Sequence, residues 1–466
     1  MFDATLSIDL GASYTKVAYR PSCVPNGIGT ATQESKVLMI DNSPLVPSLA
    51  IRTRNAAQQW VFGRDAAAMK PNAEMQVFQN WKADLFRPTN DQDSAAASII
   101  AHRFFEWLRA KLQSLGIDIK KCQTRIAMPA FDTFDQNAFL VARCLDLSGW
   151  DDPTLILKVR EPHANILGLL SLGKNVVMQG ASGIPNPHYS KMFGLENPYI
   201  KAARGFTLYG SHGNLLTVMA VDIGAFTTDL ALLTFDFTEP ADGLRAIKQE
   251  SQPLGIINQM DRPFFSELEK RYGFSWAGHS FFEREECKMS LYQGRPFPLQ
   301  TFINGTPTTL ELGDEKDGAQ MDAIADRFTS GVCERIQKMA SETRPSHVFL
   351  TGGGNLVKPI ADRLKAFLER EHIRVVHVDG ATETVGSDDQ RPWNQTGENL
   401  QRLATTIGGA SVILQEAAAP VQPERHGLRQ QPPIVIEQPA GYRTCRCQGG
   451  NKDCCFCGGR GSYPGA

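Results

Sequence analysis

The stretch "LSIDLGASYTKVAY", beginning at Leu6, reads as an apolar strand interrupted by Asp9 and Gly11, with Ser13, Tyr14, Thr15 and Lys16 crowded beyond the glycine. A buried strand does not carry a carboxylate without a partner or a use for it. The arrangement returns far along the chain in "VDIGAFTTDLALL", with Asp222, Gly224, Thr227, Thr228 and Asp229 in corresponding places. Each stretch reads as two strands joined by a glycine-containing turn. Such a turn can aim successive backbone N–H groups at a phosphate, and glycine lets the backbone approach closely. Neighbouring hydroxyls add donors. The carboxylates repel phosphate, so Asp9 and Asp222 make sense if a magnesium ion with several waters sits between them and the phosphates. Taken alone, each hairpin reads equally as a structural turn. Two of them facing each other would clamp one polyphosphate from both sides.

A third element joins them. In "VFLTGGGNLVKP" the glycines Gly352, Gly353 and Gly354 follow a strand, which suits a flat ligand lying against bare backbone, or else a flexible turn. Elsewhere strands and amphipathic helices alternate. "AAASIIAHRFFEWLRAKLQSLG" has helical spacing and ends on Gly116, and "TRIAMPAF" is a short buried strand stopped by Pro129 ahead of a helix through "QNAFLVARCLDLSG". The alternation predicts an α/β fold.

Composition narrows the partners. The chain has 466 residues, 42% of them hydrophobic, and a formal net charge of -2, so it can bury more than one core and lacks the basic bias of a polyanion binder. No apolar run approaches the roughly 18 to 20 residues of a membrane span, and a strand begins before a signal peptide could fit. A cytoplasmic location without a membrane or nucleic-acid partner is the expectation. Of the ten cysteines, five are scattered and five crowd near the chain end, which points to a reducing compartment and a metal-binding tail.

The order of hairpin, "IAMPAF" strand with its helix, second hairpin and triple-glycine turn resembles the actin, sugar-kinase and heat-shock-chaperone ATPase superfamily over residues 1 to about 415. It is most similar to the nucleotide-binding domain of the DnaK-type chaperones. "SPLVPSLAIRTRNAAQQWVFGRDAAAMKPN", "FQNWKADLF", "VREPHANILGLL", "FFEREECKMSLY" and "LATTIGGASVIL" carry the likeness. The resemblance implies a two-lobed fold of duplicated ribonuclease-H-like domains: one lobe over 1–178, an insertion or lid over 179–214, and a second lobe over 215–415 with a smaller subdomain near 256–330. It also implies a slow, magnesium-dependent ATPase.

Carried over by position, Asp9, Gly11, Ser13 and Tyr14 would form the first phosphate loop, and Asp222, Gly224, Thr227 and Asp229 the second. Thr227 and the loop carboxylates would order the magnesium and the attacking water, with Glu161 reaching the same cluster. Lys82 would neutralise charge on the γ-phosphate, unless it is an ordinary solvated lysine. Glu285 and Lys288 would bond the ribose, and Gly352, Gly353 and Gly354 would back the adenosine of ATP or ADP. His163 reads as a helix-surface residue.

The chain departs from that pattern in four ways. Met289 and Leu356 stand where the chaperones stack adenine between arginines, which predicts an apolar base site. Lys16 matches the phosphate-contacting lysine of the actins, or is an outward-facing strand lysine. Ala225 and Phe226 replace small residues in the second loop. A client-binding sandwich needs roughly 100 residues, and behind residue 415 there are only a Pro/Gln-rich linker over 416–440 and a cysteine-rich tail over 441–466.

Within the tail, "CCFCGGRG" reads as C-x-x-C-x-G-x-G from Cys454 and resembles the repeat of the DnaJ-type zinc-binding domain, with "CRCQGG" as a degenerate partner. Cys445, Cys447, Cys454 and Cys457 can saturate one tetrahedral zinc, with Cys455 able to replace Cys454. A redox-active tail or a disulfide pair are the alternatives. The function expected is an ATP-driven chaperone-type switch whose zinc tail recruits a protein partner or client, with a J-domain-type co-chaperone as a possible partner. An actin-like filament protein and a nucleotide-binding scaffold without turnover are the other two readings.

Overall fold

The computed structural model describes residues 2–21, 36–54, 59–86, 92–131, 134–150, 156–170, 175–178, 207–210, 215–236, 244–376, 397–410, 442–444 and 462–464. It is an α/β protein with mixed sheets. The largest sheet runs in the order Lys36–Val37, Tyr14–Arg20, Ala4–Leu10, Cys122–Met128, Leu157–Arg160. A second runs Leu244–Gln252, Thr228–Asp236, Leu215–Ile223, His347–Thr351, Arg374–Val376. In both, the first three strands are mutually antiparallel and the last two join in parallel. The connectivity is the same twice over.

The strands have the composition their positions demand. Ala4–Leu10 is buried at every residue, as a central strand covered on both faces must be. The helices Gln92–Ser114 and Phe134–Leu147 pack together, and the aromatic rings of Trp81, Phe104, Phe105 and Trp150 fill one core. A second core gathers Met260, Phe264, Phe328 and Leu364 around the other sheet. A small antiparallel sheet of Ala50–Thr53, Trp60–Phe62 and Met75–Phe78 leads into the short helix Trp81–Leu85. The hairpin Phe297–Ile303 and Thr306–Leu312 follows the helix Phe281–Tyr292, whose start is fixed by a capping box between Ser280 and Glu283.

Two helices change sides. Glu161–Leu170 leaves the first sheet and packs against Leu215–Ile223, Thr228–Asp236 and Leu244–Gln252, while Gly397–Gly409 packs on Ala4–Leu10, Tyr14–Arg20 and Cys122–Met128. They cross through glycines: a Cβ on Gly168 would lie 1.8 Å from the Ala404 carbonyl oxygen, and one on Gly408 would lie 1.8 Å from that of Ala164. The crossing ties the two sheets together through the paired helices.

Cys122, Cys144, Cys287 and Cys333 are free thiols. Among the described residues no helix is long and apolar enough to cross a membrane. Most of the expected lid, the linker over 416–440 and all five tail cysteines lie outside the described residues. Of the tail, Tyr442–Thr444 pairs antiparallel with Ser462–Pro464.

Candidate functional site

Strand register sets the charge pattern. In the first hairpin Asp9 stands opposite Lys16, and in the second Asp222 stands opposite Asp229. Both turns open on one cleft, lined by residues of both hairpins together with Lys82, Glu161 and Gly353. Lys16 Nζ reaches Asp9 Oδ2 at 2.8 Å and lines this cleft, which settles its orientation inward.

The turns are held by contacts that a longer side chain would break. A Cβ on Gly11 would lie 2.1 Å from the Tyr14 carbonyl oxygen, and Gly224 N–H closes its turn on the Thr227 carbonyl at 2.8 Å. Ser48 Oγ donates to the Gly11 carbonyl at 2.7 Å, and Ser48 N–H donates to the Ser13 carbonyl at 2.8 Å. The second loop is braced from behind, where Ile256 and Ile257 donate to the carbonyls of Gly224 and Ala225.

The three glycines divide their work. Gly352 has φ +82°, and a Cβ there would lie 2.1 Å from Asp222 Oδ1, while one on Gly354 would collide with Ile223. Gly353 meets nothing nearer than Arg402 Nε at 3.8 Å, so its bare backbone faces the cleft.

Glu161 opens its helix at the cleft floor and accepts from Lys82 Nζ at 2.6 Å, both residues being buried. Lys82 is thus no solvated lysine. Burial beside Asp229 and Asp9 holds the Glu161 carboxyl above the ordinary range, with Lys82 pulling it back. Burial likewise pushes Asp222 up to about 7, opposed by Lys16 and reinforced by Asp9 and Glu161. Asp229 is raised by burial and by Asp222, although Ser251 Oγ and Thr227 Oγ1 both donate to it, the latter at 2.7 Å. At the hairpin end of the cleft the four carboxylates Asp9, Glu161, Asp222 and Asp229 stand with the two lysines Lys16 and Lys82. The surplus negative charge calls for a cation.

On the far wall Glu285 accepts from Tyr14 Oη at 3.3 Å and from Lys288, and Lys288 also reaches Asp261 at 3.4 Å. Every residue expected to hold nucleotide lines the same cleft: Asp9, Gly11, Ser13, Tyr14, Lys16, Lys82, Glu161, Asp222, Gly224, Thr227, Asp229, Glu285, Lys288 and Gly352 to Gly354.

Three corrections follow. The wall expected to be apolar is not, because Arg402 rather than Leu356 lines the cleft beside Met289, with Nη2 3.5 Å from its sulfur and the guanidinium 5.9 Å from the Tyr14 ring centre. Its contact comes from tertiary folding, which no local motif signals. His163 is not a plain surface residue: its Nε2 is enclosed without a partner, and burial pushes the ring down to about 4. Asn165 carries a role that sequence reasoning missed, since its amide donates to Asp222 Oδ2 at 2.7 Å and to Thr405 at 3.2 Å, and accepts from Thr351 at 3.1 Å. Its place one helical turn after Glu161 was the available signal.

Among the described residues no group of three or more His, Cys, Asp or Glu is set to hold a metal directly. No protein-family model matches the chain, and no curated protein matches it.

Proposed function

We propose that the protein is an ATP-binding and ATP-hydrolysing conformational switch of the chaperone-like type, built as a two-lobed actin-like fold. The observation that carries this reading is that Asp9 and Asp222, from two sheets of like connectivity, line one cleft with Lys82 and the bare backbone of Gly353. The glycine turns would supply N–H groups to the phosphates, Glu285 and Lys288 would bond the ribose, and Gly353 and Arg402 would flank the base.

Asp9 and Asp222 fit a magnesium ion held through water, because that ion keeps several waters and takes few protein carboxylates in phosphate sites. Magnesium would neutralise charge on the phosphates. Lys82, fixed by Glu161, would place a cation against the γ-phosphate. Thr227 Oγ1 gives its proton to Asp229, leaving its lone pairs to accept from a water. That water's oxygen would bond to the γ-phosphorus while the bridging oxygen leaves on ADP, the water protons departing with the inorganic phosphate.

Single-turnover hydrolysis tests the assignment, with calorimetric titration of ATP as the binding control. Thr227→Ala is expected to slow turnover by about 10²-fold, and equal rates in variant and wild type would overturn the catalytic role. ATP binding without any turnover in either protein would leave the scaffold reading in its place. The inward Lys16 favours an actin-like assembly as the second reading, and light scattering that stays flat on ATP addition at high protein concentration excludes it. The zinc tail, as a recruiter of a protein partner, client or J-domain-type co-chaperone, is tested by the zinc content of the purified chain against a Cys454→Ser/Cys457→Ser variant.

A further inference from the structure

Beside the nucleotide cleft, and continuous with it through Ser13, Glu285 and Lys288, lies a larger cavity of about 1500 Å3, its mouth included. One wall is Leu49, Val77 and Gln79 from the first half of the molecule; the other is Phe265, Trp276 and Arg284 from the second. The charges in it are unevenly matched. Lys288 is neutralised by Glu285 and by Asp261, and the latter also accepts from Tyr292. Both carboxylates are thereby spoken for. Arg284 has no carboxylate partner among the described residues. Its guanidinium meets only the uncharged amide of Gln79, whose oxygen, turned toward it, accepts from Nη1 at 3.2 Å.

A half-buried cation whose nearest partner is a neutral amide is incompletely compensated, because burial weakens its hydration while Glu285 and Glu269 act on it only from beyond ion-pair distance. Burial accordingly lowers the affinity of Arg284 for its proton. Two N–H groups in the same walls, Arg284 Nε and the indole Nε1 of Trp276, are enclosed without any acceptor. Arg262 also lines the cavity. The remaining surface is aromatic, with the ring of Trp276 set edge-on to Phe265 at 5.3 Å and Phe281 nearby.

We propose that this cavity is a second ligand site, for a small organic anion with an aromatic or apolar body: Arg284 takes the carboxylate or phosphate, and the rings of Phe265, Trp276 and Phe281 take the body. The site adjoins the nucleotide cleft and shares Glu285 and Lys288 with it, but the proposal does not require that nucleotide binds.

The test uses the full chain without nucleotide, titrated with phenylacetate, phenyl phosphate and the uncharged phenylacetamide, and followed by tryptophan fluorescence and by ligand-observed saturation-transfer NMR. At least one of the two anions is expected to saturate below about 10 mM and to bind at least about tenfold more tightly than the amide, a difference of about 1.4 kcal/mol. Which anion binds better separates a carboxylate ligand from a phosphate one. Arg284→Gln is expected to remove that preference while leaving the amide's affinity unchanged, with circular dichroism and thermal melts checking the fold. Equal affinity for anion and amide in the wild type overturns the proposal without recourse to any variant. So does the absence of saturable anion binding, or unchanged anion affinity in a folded Arg284→Gln protein.

Discussion

Lys82 Nζ and Glu161 Oε1 lie 2.6 Å apart although 79 residues separate them in the chain. The pair is buried and joins the short helix behind the small sheet to the first residue of the crossing helix. Removing one partner of a buried ion pair costs about 3–5 kcal/mol, part of which is offset here when Glu161, already raised by burial, takes a proton. Lys82→Met should therefore lower stability in urea melts, and Lys82→Met/Glu161→Leu should recover most of it. ATP turnover should stay lost in both. A double variant that hydrolyses ATP at the wild-type rate would remove Lys82 from the catalytic set.

Asp222 sets a pH dependence of known sign. Its carboxyl is held at about 7 in the folded protein against an ordinary 3.8. Between those values the native state keeps a proton that the unfolded chain has released, so this group's contribution to stability falls as pH rises from about 4 to 7 and levels off above. Thermal melts of wild type and Asp222→Asn across that window should diverge, with the variant losing less as pH rises. Parallel curves would show that Asp222 titrates normally.

The same proton gives a binding signature. A magnesium nucleotide brought against Asp222 favours its ionised form, so binding near pH 6 should release protons and binding near pH 9 should not. Calorimetry in two buffers of different ionisation enthalpy reads this directly. Equal apparent heats in both buffers at pH 6 would count against a cation beside Asp222.

Gly408→Ala separates helix propensity from packing. In an open helix the change would gain about 1 kcal/mol, but here the new methyl would stand 1.8 Å from the Ala164 carbonyl oxygen. Overpacking of this kind costs about 1–3 kcal/mol. Urea melts should show a net loss of stability, and a net gain would mean that the two helices do not cross this closely.

Arg402→Ala tests the proposal that Arg402 flanks the base. Loss of a cation from a stacked base costs about 0.5–2 kcal/mol, from about twofold to about thirtyfold in the ATP dissociation constant. Leu356→Ala should have no such effect, since Leu356 does not line the cleft. The reverse pattern would restore the apolar site expected from the sequence.

Much of this site was legible because the chemistry is local. Asp9 with Gly11, and Asp222 with Gly224, are fixed by strand alternation and a tight glycine turn, which at Gly11 leaves no room for a Cβ, so their spacing alone marks them. Arg402 and Asn165 were not read from the sequence, since each acquires its partners from a different part of the chain: Arg402 from Met289 and Tyr14, Asn165 from Asp222, Thr351 and Thr405. The bare face of Gly353 was legible as one of three glycines, but which of the three it would be depended on the contacts of the other two.

The sequence by itself determined the elements: alternating strands and helices, two glycine hairpins carrying acidic residues, and a triple-glycine turn, all set by hydrophobic period and backbone sterics over a few residues. Only the tertiary structure decided that both hairpins open on one cleft, that Lys82 meets Glu161, and that the nearest partner of Arg284 is the neutral Gln79 amide. Those outcomes depend on how distant segments pack and on how burial redistributes charge, and neither is encoded within any one stretch of chain.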